Sequence, residues 1–271
     1  MSDQRTPEQV SFRELRLTDV SKWFGSGHRA FQALKEVNLT IVPGSSIGIV
    51  GESGSGKSTM SRIVMGLESA SSGTVTLDGE DTRLRLAKPA SARRFRRTVQ
   101  YIGQDTSSTF DPRRSLRDSV TIPAMLLTGA SRSSANEQAD ELFQSFGIDP
   151  TLADRRPHQV SGGQRQRFAI ARALIVRPQI LLCDEIVSAL DVSVQGAILN
   201  LLRDYCRQTG AAMTFVSHGL PATAFISQQL VVMKEGEIVE RGTTAEVLEH
   251  PQHPYTRQLV GAYEYTRRSS G

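Results

Sequence analysis

The clearest chemistry in this chain lies in nine consecutive residues, GESGSGKST at positions 51–59. They fit the pattern G-x-x-x-x-G-K-[ST], a loop whose backbone N–H groups surround phosphates. Glycines are needed there because a side chain would keep the backbone away from the phosphate oxygens, and because some positions need a positive φ angle. In such a loop Lys57 contacts the β- and γ-phosphates and Ser58 ligates Mg²⁺. We therefore expect ATP and Mg²⁺ to bind here, through Gly51, Ser53, Gly54, Gly56, Lys57, Ser58 and Thr59.

A second candidate is the acidic pair Asp184 and Glu185, which follows the apolar run ILLC at 180–183. Such a run is typical of a buried strand, and an acid at its end can hold Mg²⁺ opposite a phosphate loop. Adjacent strand residues point to opposite faces, but the last residue of a strand can turn toward the site. We expect one acid, Asp184, to bind the metal and Glu185 to act on the attacking water, which it must reach as a general base.

A third candidate is the sequence SGGQR at residues 161–165. Ser161 is a good helix N-cap, and the free N–H groups of the next turn form an anion site. The residues that follow, 166–176, have the apolar spacing of a helix. Taken alone, this pentapeptide would fit a capped helix without a ligand. Its position between a phosphate loop and an acid-terminated strand favours a phosphate contact.

These groups need strands and helices to hold them, and the sequence around them predicts such elements. Residues 47–50 are apolar and β-branched, as in a buried strand, and they lead into the glycine-rich loop. Residues 57–67 have helical apolar spacing. Strand, loop and helix in this order are the context that the phosphate-binding pattern requires.

The rest of the chain alternates between strand and helix patterns. Residues 105–175 are expected to form a mostly helical insertion, and the prolines of 250–255 should interrupt any helix. Strands interleaved with helices favour an α/β fold whose largely parallel sheet binds ligands at the carboxyl ends of its strands. Further strands are expected at 12–20, 33–42, 74–77, 98–102, 180–185 and 212–217, with a hairpin over 229–241 that turns near Glu235 and Gly236.

Composition limits the classes of function. No stretch approaches the ~18 apolar residues that cross a bilayer, and the N-terminus lacks the apolar core of a secretion signal. We therefore expect a cytosolic chain that reaches a membrane only through partners. Cys183 and Cys206 form no C-x-x-C pattern, so a zinc or iron–sulfur site is not expected, and Cys183 should be a buried apolar residue. The net charge is +4, and the basic run at 93–97 is interpreted as a solvated helix face rather than a nucleic-acid surface.

The SGGQR sequence resembles the signature motif of the ATP-binding cassette (ABC) ATPases, and other positions match that family in chain order. By this resemblance, Gln104 after strand 98–102 links Mg²⁺ and water to a transmembrane partner. His218, which follows strand 212–217, resembles the switch residue that contacts the γ-phosphate. The signature motif would bind the γ-phosphate of an ATP held by the opposite subunit, through Ser161, Gly162, Gly163 and Gln164.

The same resemblance covers residues 12–262 and assigns two further regions. Residues 188–191 resemble the D-loop that lines the interface between subunits. Phe24, in preference to Trp23, corresponds to the aromatic residue that stacks on adenine, although Trp-Phe at a strand end could equally belong to the core. The implied fold is an α/β P-loop NTPase of the ABC ATPase type, with a mainly parallel core sheet, an antiparallel β subdomain and a helical signature subdomain.

Three stretches narrow the resemblance to the ATPase subunits of oligopeptide, dipeptide and nickel uptake systems. They are CDEIVSALDVSVQ at 183–195, the extended Q-loop at 104–113, and HPQHPYTR at 250–257. The two histidines of the last stretch could indicate a metal site. A turn fixed by its prolines is the better interpretation, with Tyr255 and Leu259 packed on the body of the protein.

Three positions depart from the family pattern. Ile186 stands where the family usually has proline, Gly219 where aspartate is usual, and Gly103 where an aromatic residue is usual. None of these changes removes a catalytic group. We expect Gly219 to loosen the turn that carries His218. Some members of the subfamily carry a cysteine-rich iron–sulfur extension, and this chain has no such cysteines.

From the sequence itself, residues 1–10 are expected to be a disordered leader. The resemblance implies an ABC ATPase domain over 11–249 with its helical subdomain at 105–175, and a C-terminal tail over 250–271. The implied activity is ATP hydrolysis that energises import of peptides, nickel or a related small solute, at the cytoplasmic face of the inner membrane. The implied partners are a second ATPase subunit, a paralogue in preference to a second copy, two transmembrane permease subunits and, indirectly, an extracytoplasmic solute-binding protein. No direct contact with nucleic acid is expected.

Two other classes of protein fit part of the sequence. A soluble ABC ATPase acting on ribosomes or DNA usually has two cassettes or a long coiled-coil insertion, and this chain has neither. A P-loop kinase of small molecules would explain loop 51–59 but neither the signature motif nor the D-loop. A test for turnover that depends on an acceptor molecule would distinguish the kinase.

Overall fold

The structure, a computed structural model, describes residues 12–105, 109–188 and 190–269, so the expected leader lies outside the described residues. Its strands are β1 Leu15–Phe24, β2 Phe31–Ile41, β3 Ser46–Val50, β4 Ser72–Leu77, β5 Glu80–Asp81, β6 Val99–Ile102, β7 Ile180–Asp184, β8 Ala212–Ser217, β9 Gln229–Lys234 and β10 Glu237–Thr243. Its helices are α1 Lys57–Val64, α2 Thr82–Ala87, α3 Pro89–Thr98, α4 Leu116–Pro123, α5 Arg132–Ser145, α6 Gly162–Leu174, α7 Val192–Thr209, α8 Leu220–Ile226, α9 Thr244–Glu249 and α10 Pro254–Ser269.

The larger sheet holds the strands that end at the candidate site. Its order is β10-β9-β3-β8-β7-β6, with the last five strands parallel and β10 joined to β9 as an antiparallel edge. Every residue of β7 and of β8 is buried, as expected for strands covered on both faces. The predicted mainly parallel sheet is therefore confirmed, and the carboxyl ends of β3, β8 and β7 lie side by side.

The smaller sheet is antiparallel, in the order β2-β1-β4-β5. The strands predicted at 12–20 and 33–42 are confirmed, but the pairing extends further toward the turn that joins them, so that β1 ends at Phe24 and β2 begins at Phe31. Shifts of register after Leu17 let this pairing continue past an interruption of the alternating pattern.

The residues between β6 and β7 form a helical region with its own apolar packing. Ser115 caps α4 and Ser131 caps α5, each by accepting a hydrogen bond from a backbone N–H three residues further on. A π turn after α4 ends at Gly129, which has a positive φ angle. The rings of Phe143 and Phe168 meet edge to face with centroids 5.2 Å apart, which joins α5 to α6.

The turns at the C-terminal end agree with the sequence. The predicted hairpin is confirmed: Glu235 and Gly236 have φ angles of 48° and 86°, the left-handed pair that matches the twist of two antiparallel strands. The predicted interruption at the prolines is also confirmed, because α9 ends at Glu249 and α10 begins at Pro254. Proline is tolerated at the first helical position, where an N–H would have no partner in the helix.

Several smaller expectations can be compared with the fold. Cys183 is fully buried in β7, and the basic run lies on α3 with its arginines exposed around buried Phe95, as predicted. The helix predicted over 57–67 is too long, since α1 ends before Gly66, whose φ angle is 67°. Among the residues that the structure describes, none of the helices has both the length and the apolar character of a membrane span.

Candidate nucleotide site

The phosphate loop connects β3 to α1, in the strand–loop–helix order that the sequence predicts. Gly51, Gly54 and Gly56 have φ angles of 157°, 83° and 99°. A Cβ atom on Gly51 would lie 2.1 Å from the carbonyl oxygen of Met233, and a Cβ atom on Gly56 would lie 2.5 Å from that of Ala33. Both carbonyls belong to strands and cannot move aside freely. Glycine is therefore required at both positions by conformation and by space.

The side chain of Lys57 is held inside the loop. Its Nζ atom donates to the carbonyl oxygens of Gly51 and Glu52 at 2.7 and 2.8 Å, and the residue is only 4% exposed. Burial lowers the pKa of Lys57, while the nearby carboxylates of Glu185 and Asp184 act in the opposite direction. The ammonium group thus lies between the loop backbone and the acids that end β7.

Asp184 is the centre of a hydrogen-bonded group that joins three elements. Its Oδ1 atom accepts from Ser58 Oγ at 3.0 Å, and its Oδ2 atom accepts from the hydroxyl of Tyr101 at 2.9 Å. Burial raises the pKa of Asp184, and the hydrogen bonds from Tyr101 and Ser58 oppose that rise because they favour the ionised form. The start of α1, the end of β7 and strand β6 are therefore linked through one carboxylate.

This arrangement suits Mg²⁺. Mg²⁺ prefers oxygen ligands and is usually held by one or two protein groups together with phosphates and water. The hydroxyl of Ser58 and the carboxylate of Asp184 provide such oxygens side by side. Gln104, the third expected ligand, is exposed directly after β6, the strand next to β7.

Tyr101 was not singled out from the sequence, and Gly103 explains its place. A Cβ atom on Gly103 would lie 2.9 Å from the ring atom Cε1 of Tyr101 and 3.3 Å from its hydroxyl oxygen. The ring of Tyr101 therefore occupies space that a larger residue at 103 would need. The available signal was Gly103 itself: the aromatic residue usual at this position is absent, and a tyrosine stands two positions earlier.

Glu185 and His218 are brought together by the ends of β7 and β8. Glu185 has a φ angle of 52°, and its N–H donates to the carbonyl oxygen of Val216 at 2.8 Å. This left-handed residue ends the strand and breaks its alternation. His218 Nδ1 lies 3.4 Å from Glu185 Oε2. The imidazole and the carboxylate can therefore act on one ligand at the open end of the sheet.

The residues of the signature motif begin α6 on the outside of the helical region. Ser161 Oγ accepts from the N–H of Gln164 at 3.3 Å, and Gln164 Oε1 accepts from the N–H of Ser161 at 2.9 Å. This reciprocal pair is a capping box. Ser161, Gly162 and Gln164 are exposed and Gly163 is half-buried at this helix end, where the first N–H groups have no partner within the helix. The expected N-cap is confirmed, and its role toward a nucleotide stays a prediction.

The expected D-loop follows β7 and leads into α7. Ser188 Oγ donates to the carbonyl oxygen of Glu185 at 2.9 Å, and the side-chain amide of Gln195 donates to the carbonyl oxygen of Leu190 at 2.8 Å. Ala189 lies outside the described residues. Asp191 is the N-cap residue of α7. The segment is thus tied at one end to Glu185, through its backbone.

Phe24, the expected adenine contact, is the last residue of β1. Phe24 is 38% exposed and Trp23 49% exposed, so neither is a core residue. Phe24 pairs across the hairpin with Phe31, which is 58% exposed, and Lys22 Nζ lies 4.7 Å from the centre of the Phe24 ring. Phe31 was missed by sequence reasoning, since only the register of β1 against β2 places it beside Phe24.

The other two departures from the family pattern, Ile186 and Gly219, lie in ordinary structural environments. Ile186 is 2% exposed and packs in the apolar core of the helical region. Gly219 has a φ angle of −90°, which other residues adopt readily, and its N–H donates to Ser217 Oγ at 3.0 Å. The effect of Gly219 on the turn that carries His218 stays a prediction.

The glycine-rich loop between β3 and α1, on a mainly parallel sheet, defines a P-loop nucleotide-binding protein. A family model described as ABC transporter matches residues 34–188. A protein of Brucella abortus (strain 2308), named as an ATP-binding protein of peptide import, is 38% identical over an alignment of 283 positions, which covers 100% of this chain and 84% of that protein. The match thus extends across the whole chain.

Two other comparisons agree. The glutathione import ATP-binding protein GsiA of Escherichia coli (strain K12) is 41% identical over 234 residues, which cover 86% of this chain and 37% of GsiA. The dimeric post-hydrolysis structure of the ATP-binding cassette MJ0796 bound to ADP and Pi aligns with a TM-score of 0.78 at 31% identity, over 85% of this chain and 98% of that one. This chain belongs to the ABC transporter family and is an ABC-type ATPase.

Proposed function

We propose that this chain is the ATP-hydrolysing subunit of an ABC importer for peptides or a related peptide-like solute. The observation that carries the proposal is the grouping of Lys57, Asp184, Glu185 and His218 at the adjoining carboxyl ends of β3, β7 and β8. Relatives named for peptide import and for glutathione import support the solute class. Neither name points to nickel.

In the proposed site, the loop N–H groups and Lys57 bind the phosphates of ATP. Ser58, Asp184 and Gln104 hold Mg²⁺, which neutralises phosphate charge when bound. Glu185 polarises the attacking water, and His218 contacts the γ-phosphate. His218 Nδ1 lies 3.4 Å from Glu185 Oε2. This distance supports the two roles, because an imidazole that contacts the carboxylate can also contact the γ-phosphate. Most of the catalysis is positioning and charge stabilisation, as is general in phosphoryl transfer.

The proposed active form contains two ATPase subunits arranged head to tail. The exposed residues at the start of α6 support this arrangement, because a helix N-terminus on the surface can bind a phosphate held by another subunit. Ser161 and Gly163 would cover the ATP of the partner. Closure would complete both sites and couple hydrolysis to the membrane subunits.

We propose a paralogous ATPase as that partner, in preference to a second copy of this chain. The remaining partners are two transmembrane permease subunits and, indirectly, an extracytoplasmic solute-binding protein, with the chain bound at the cytoplasmic face of the membrane. The importer names of the relatives support this assembly. No observation favours direct contact with nucleic acid.

The proposal is tested by purifying the tagged chain from its native membranes in mild detergent and identifying what accompanies it by mass spectrometry. We expect two multi-spanning permeases and a second ATPase. An untagged strain provides the background, and a phosphate-loop variant, Lys57→Ala, separates assembly from nucleotide binding. Recovery of ribosomal or DNA-repair proteins instead of permeases would contradict the transport function and leave the ATPase activity in place.

A further inference from the structure

The C-terminal residues 251–257, which we name the C-terminal brace, contact the phosphate loop directly. The hydroxyl oxygen of Tyr255 accepts a hydrogen bond of 2.8 Å from the backbone N–H of Glu52, 203 residues earlier in the chain. Tyr255 is 4% exposed and belongs to an apolar cluster with Val50, the last residue of β3, and Val232 of the neighbouring strand β9. The segment that the sequence predicts to be a packed turn therefore contacts the phosphate loop through Tyr255.

The hydrogen bond from Glu52 to Tyr255 involves the peptide unit that joins Gly51 to Glu52. The N–H of Glu52 and the carbonyl of Gly51 belong to the same planar group. That carbonyl accepts from Lys57 Nζ at 2.7 Å. One rigid peptide plane is thus held by Lys57 at one edge and by Tyr255 at the other. Rotating this plane would break both contacts, so the tyrosine hydroxyl and the lysine ammonium are mechanically linked.

The brace is itself fixed to the body of the protein. The carboxylate of Glu240, on β10, accepts from the backbone N–H groups of Gln252 and His253 at 2.8 and 2.9 Å. The N–H of Tyr255 donates to His253 Nδ1 at 3.2 Å. Arg257 donates to the two carbonyl oxygens at the start of the brace at 3.1 and 2.9 Å. His253 Nδ1 acts here as an acceptor within the turn.

We propose that Tyr255 is a positioning residue of the ATP site, which acts by fixing the Gly51–Glu52 peptide and hence Lys57. This inference rests on the proposed role of the loop in binding ATP. Packing alone would require only the ring of Tyr255, since the ring makes the apolar contacts. The hydroxyl adds a bond to a loop N–H that would otherwise need another acceptor. The two roles therefore separate in a variant that keeps the ring and removes the oxygen.

The test compares Tyr255→Phe with the full-length wild type in titrations with a fluorescent ATP analogue and Mg²⁺. We expect the dissociation constant to rise about fivefold to tenfold, since a loop N–H loses its partner. The KM for ATP should rise by a similar factor, with kcat nearly unchanged. Hydrogen exchange of the peptide that contains Glu52 should become faster.

The matched control is Tyr205→Phe. Tyr205 also donates from a mostly buried hydroxyl, to the carbonyl oxygen of Pro178 at 3.3 Å, but it lies on α7 away from the loop. We expect this variant to leave the affinity for ATP unchanged. Arg257→Ala removes two bonds within the exposed side of the brace and should weaken ATP binding in the same direction, about twofold to threefold.

The outcomes separate this inference from the proposed function. Wild type that binds ATP together with a Tyr255→Phe variant of equal affinity would overturn the positioning role, even if the variant melts at a lower temperature. Wild type that does not bind ATP would overturn both. Weaker binding in Tyr255→Phe and Arg257→Ala, with normal binding in Tyr205→Phe, would support the brace.

Discussion

The phosphate loop and the signature motif are both expected to contact ATP, yet they are built in opposite ways. The loop is fixed by distant parts of the chain: the carbonyls of Ala33 and Met233 crowd its glycines, and Tyr255 accepts from its backbone. The signature motif is fixed by its own first turn, through the reciprocal bonds of Ser161 and Gln164. One is a partly exposed loop held by long-range contacts, and the other is a local structure on the surface.

This difference fits the two tasks. A loop that wraps phosphates must keep its N–H groups aligned, and long-range contacts hold them against the flexibility of glycine. A helix end that binds the nucleotide of a neighbouring subunit must stay exposed on the surface of its own subunit. A capping box stabilises such an end without covering it. The comparison predicts that damage to the loop affects ATP binding, whereas damage to the signature motif affects only what happens after two subunits meet.

The largest expected effect is that of Glu185→Gln. We expect hydrolysis to fall about 100-fold to 10,000-fold, the usual contribution of a general base. ATP affinity should stay close to that of wild type, because the loop and Lys57 are unchanged. Steady-state phosphate release measures hydrolysis, titration with a fluorescent ATP analogue measures affinity, and size-exclusion chromatography with ATP measures pairing of subunits. The variant should accumulate as a closed pair of subunits, which keeps the loop and the signature motif in contact. Normal hydrolysis would refute the base assignment.

Lys57→Ala should break the loop half of the comparison. We expect affinity for ATP to fall about 100-fold, since a charged donor to the phosphates is lost. The same change removes the bonds to Gly51 and Glu52, so the loop loses an internal contact as well. Titration with a fluorescent ATP analogue measures the loss. Arg97→Ala, on the exposed face of α3, is the control, and equal affinity in Lys57→Ala and wild type would contradict the assignment.

Ser161→Ala should break the signature half alone. We expect hydrolysis by the assembled pair to fall about tenfold because a donor group at the γ-phosphate is lost, while ATP binding by the single chain is unchanged. Loss of the cap should also lower the free energy of unfolding by about 0.5–2 kcal/mol. Ser131→Ala removes the equivalent cap of α5 and controls for that destabilisation. Weaker ATP binding by the single Ser161→Ala chain would show that the motif is not reserved for a neighbouring subunit.

The two halves also differ in how far the sequence predicts them. The cap at Ser161 and the glycines of the loop follow from local rules of turn and helix termini, and both are where the pattern placed them. The strand ends that carry Asp184 and His218 could be predicted equally well, because apolar runs bounded by polar residues indicate buried strands. The sequence therefore predicted the elements that carry the candidate side chains, but β1 extends four residues beyond its predicted end, to Phe24, and α1 ends three residues before its predicted end.

The sequence did not predict the long-range contacts around the phosphate loop and Asp184. Tyr101 meets Asp184 across 83 residues, and Tyr255 meets Glu52 across 203. Both depend on which strands are neighbours and on where α10 docks, and no local pattern contains that information. Phe31 was missed for the same reason, since only the hairpin register sets it beside Phe24.

The smallest expected effect concerns one of those contacts. In Tyr101→Phe, the ring stays in the space beside Gly103, and Asp184 loses the donor to Oδ2 but keeps Ser58 on Oδ1. The carboxylate should then be less well oriented toward Mg²⁺. We expect the Mg²⁺ concentration for half-maximal ATP binding to rise about threefold to tenfold, at or below the lower end of the usual cost of losing a group that orients a metal ligand.

The measurement is a Mg²⁺ titration of nucleotide fluorescence at fixed ATP analogue, with a matched series in EDTA to isolate binding without the metal. Affinity in EDTA should be unchanged, since the loop contacts are intact. Gly103→Phe should produce a similar Mg²⁺ shift by displacing the ring, because its Cβ atom alone would lie 2.9 Å from Tyr101. A Tyr101→Phe variant with the wild-type Mg²⁺ dependence would show that Ser58 alone orients Asp184, and that the long-range contacts of the loop half are fewer than the geometry indicates.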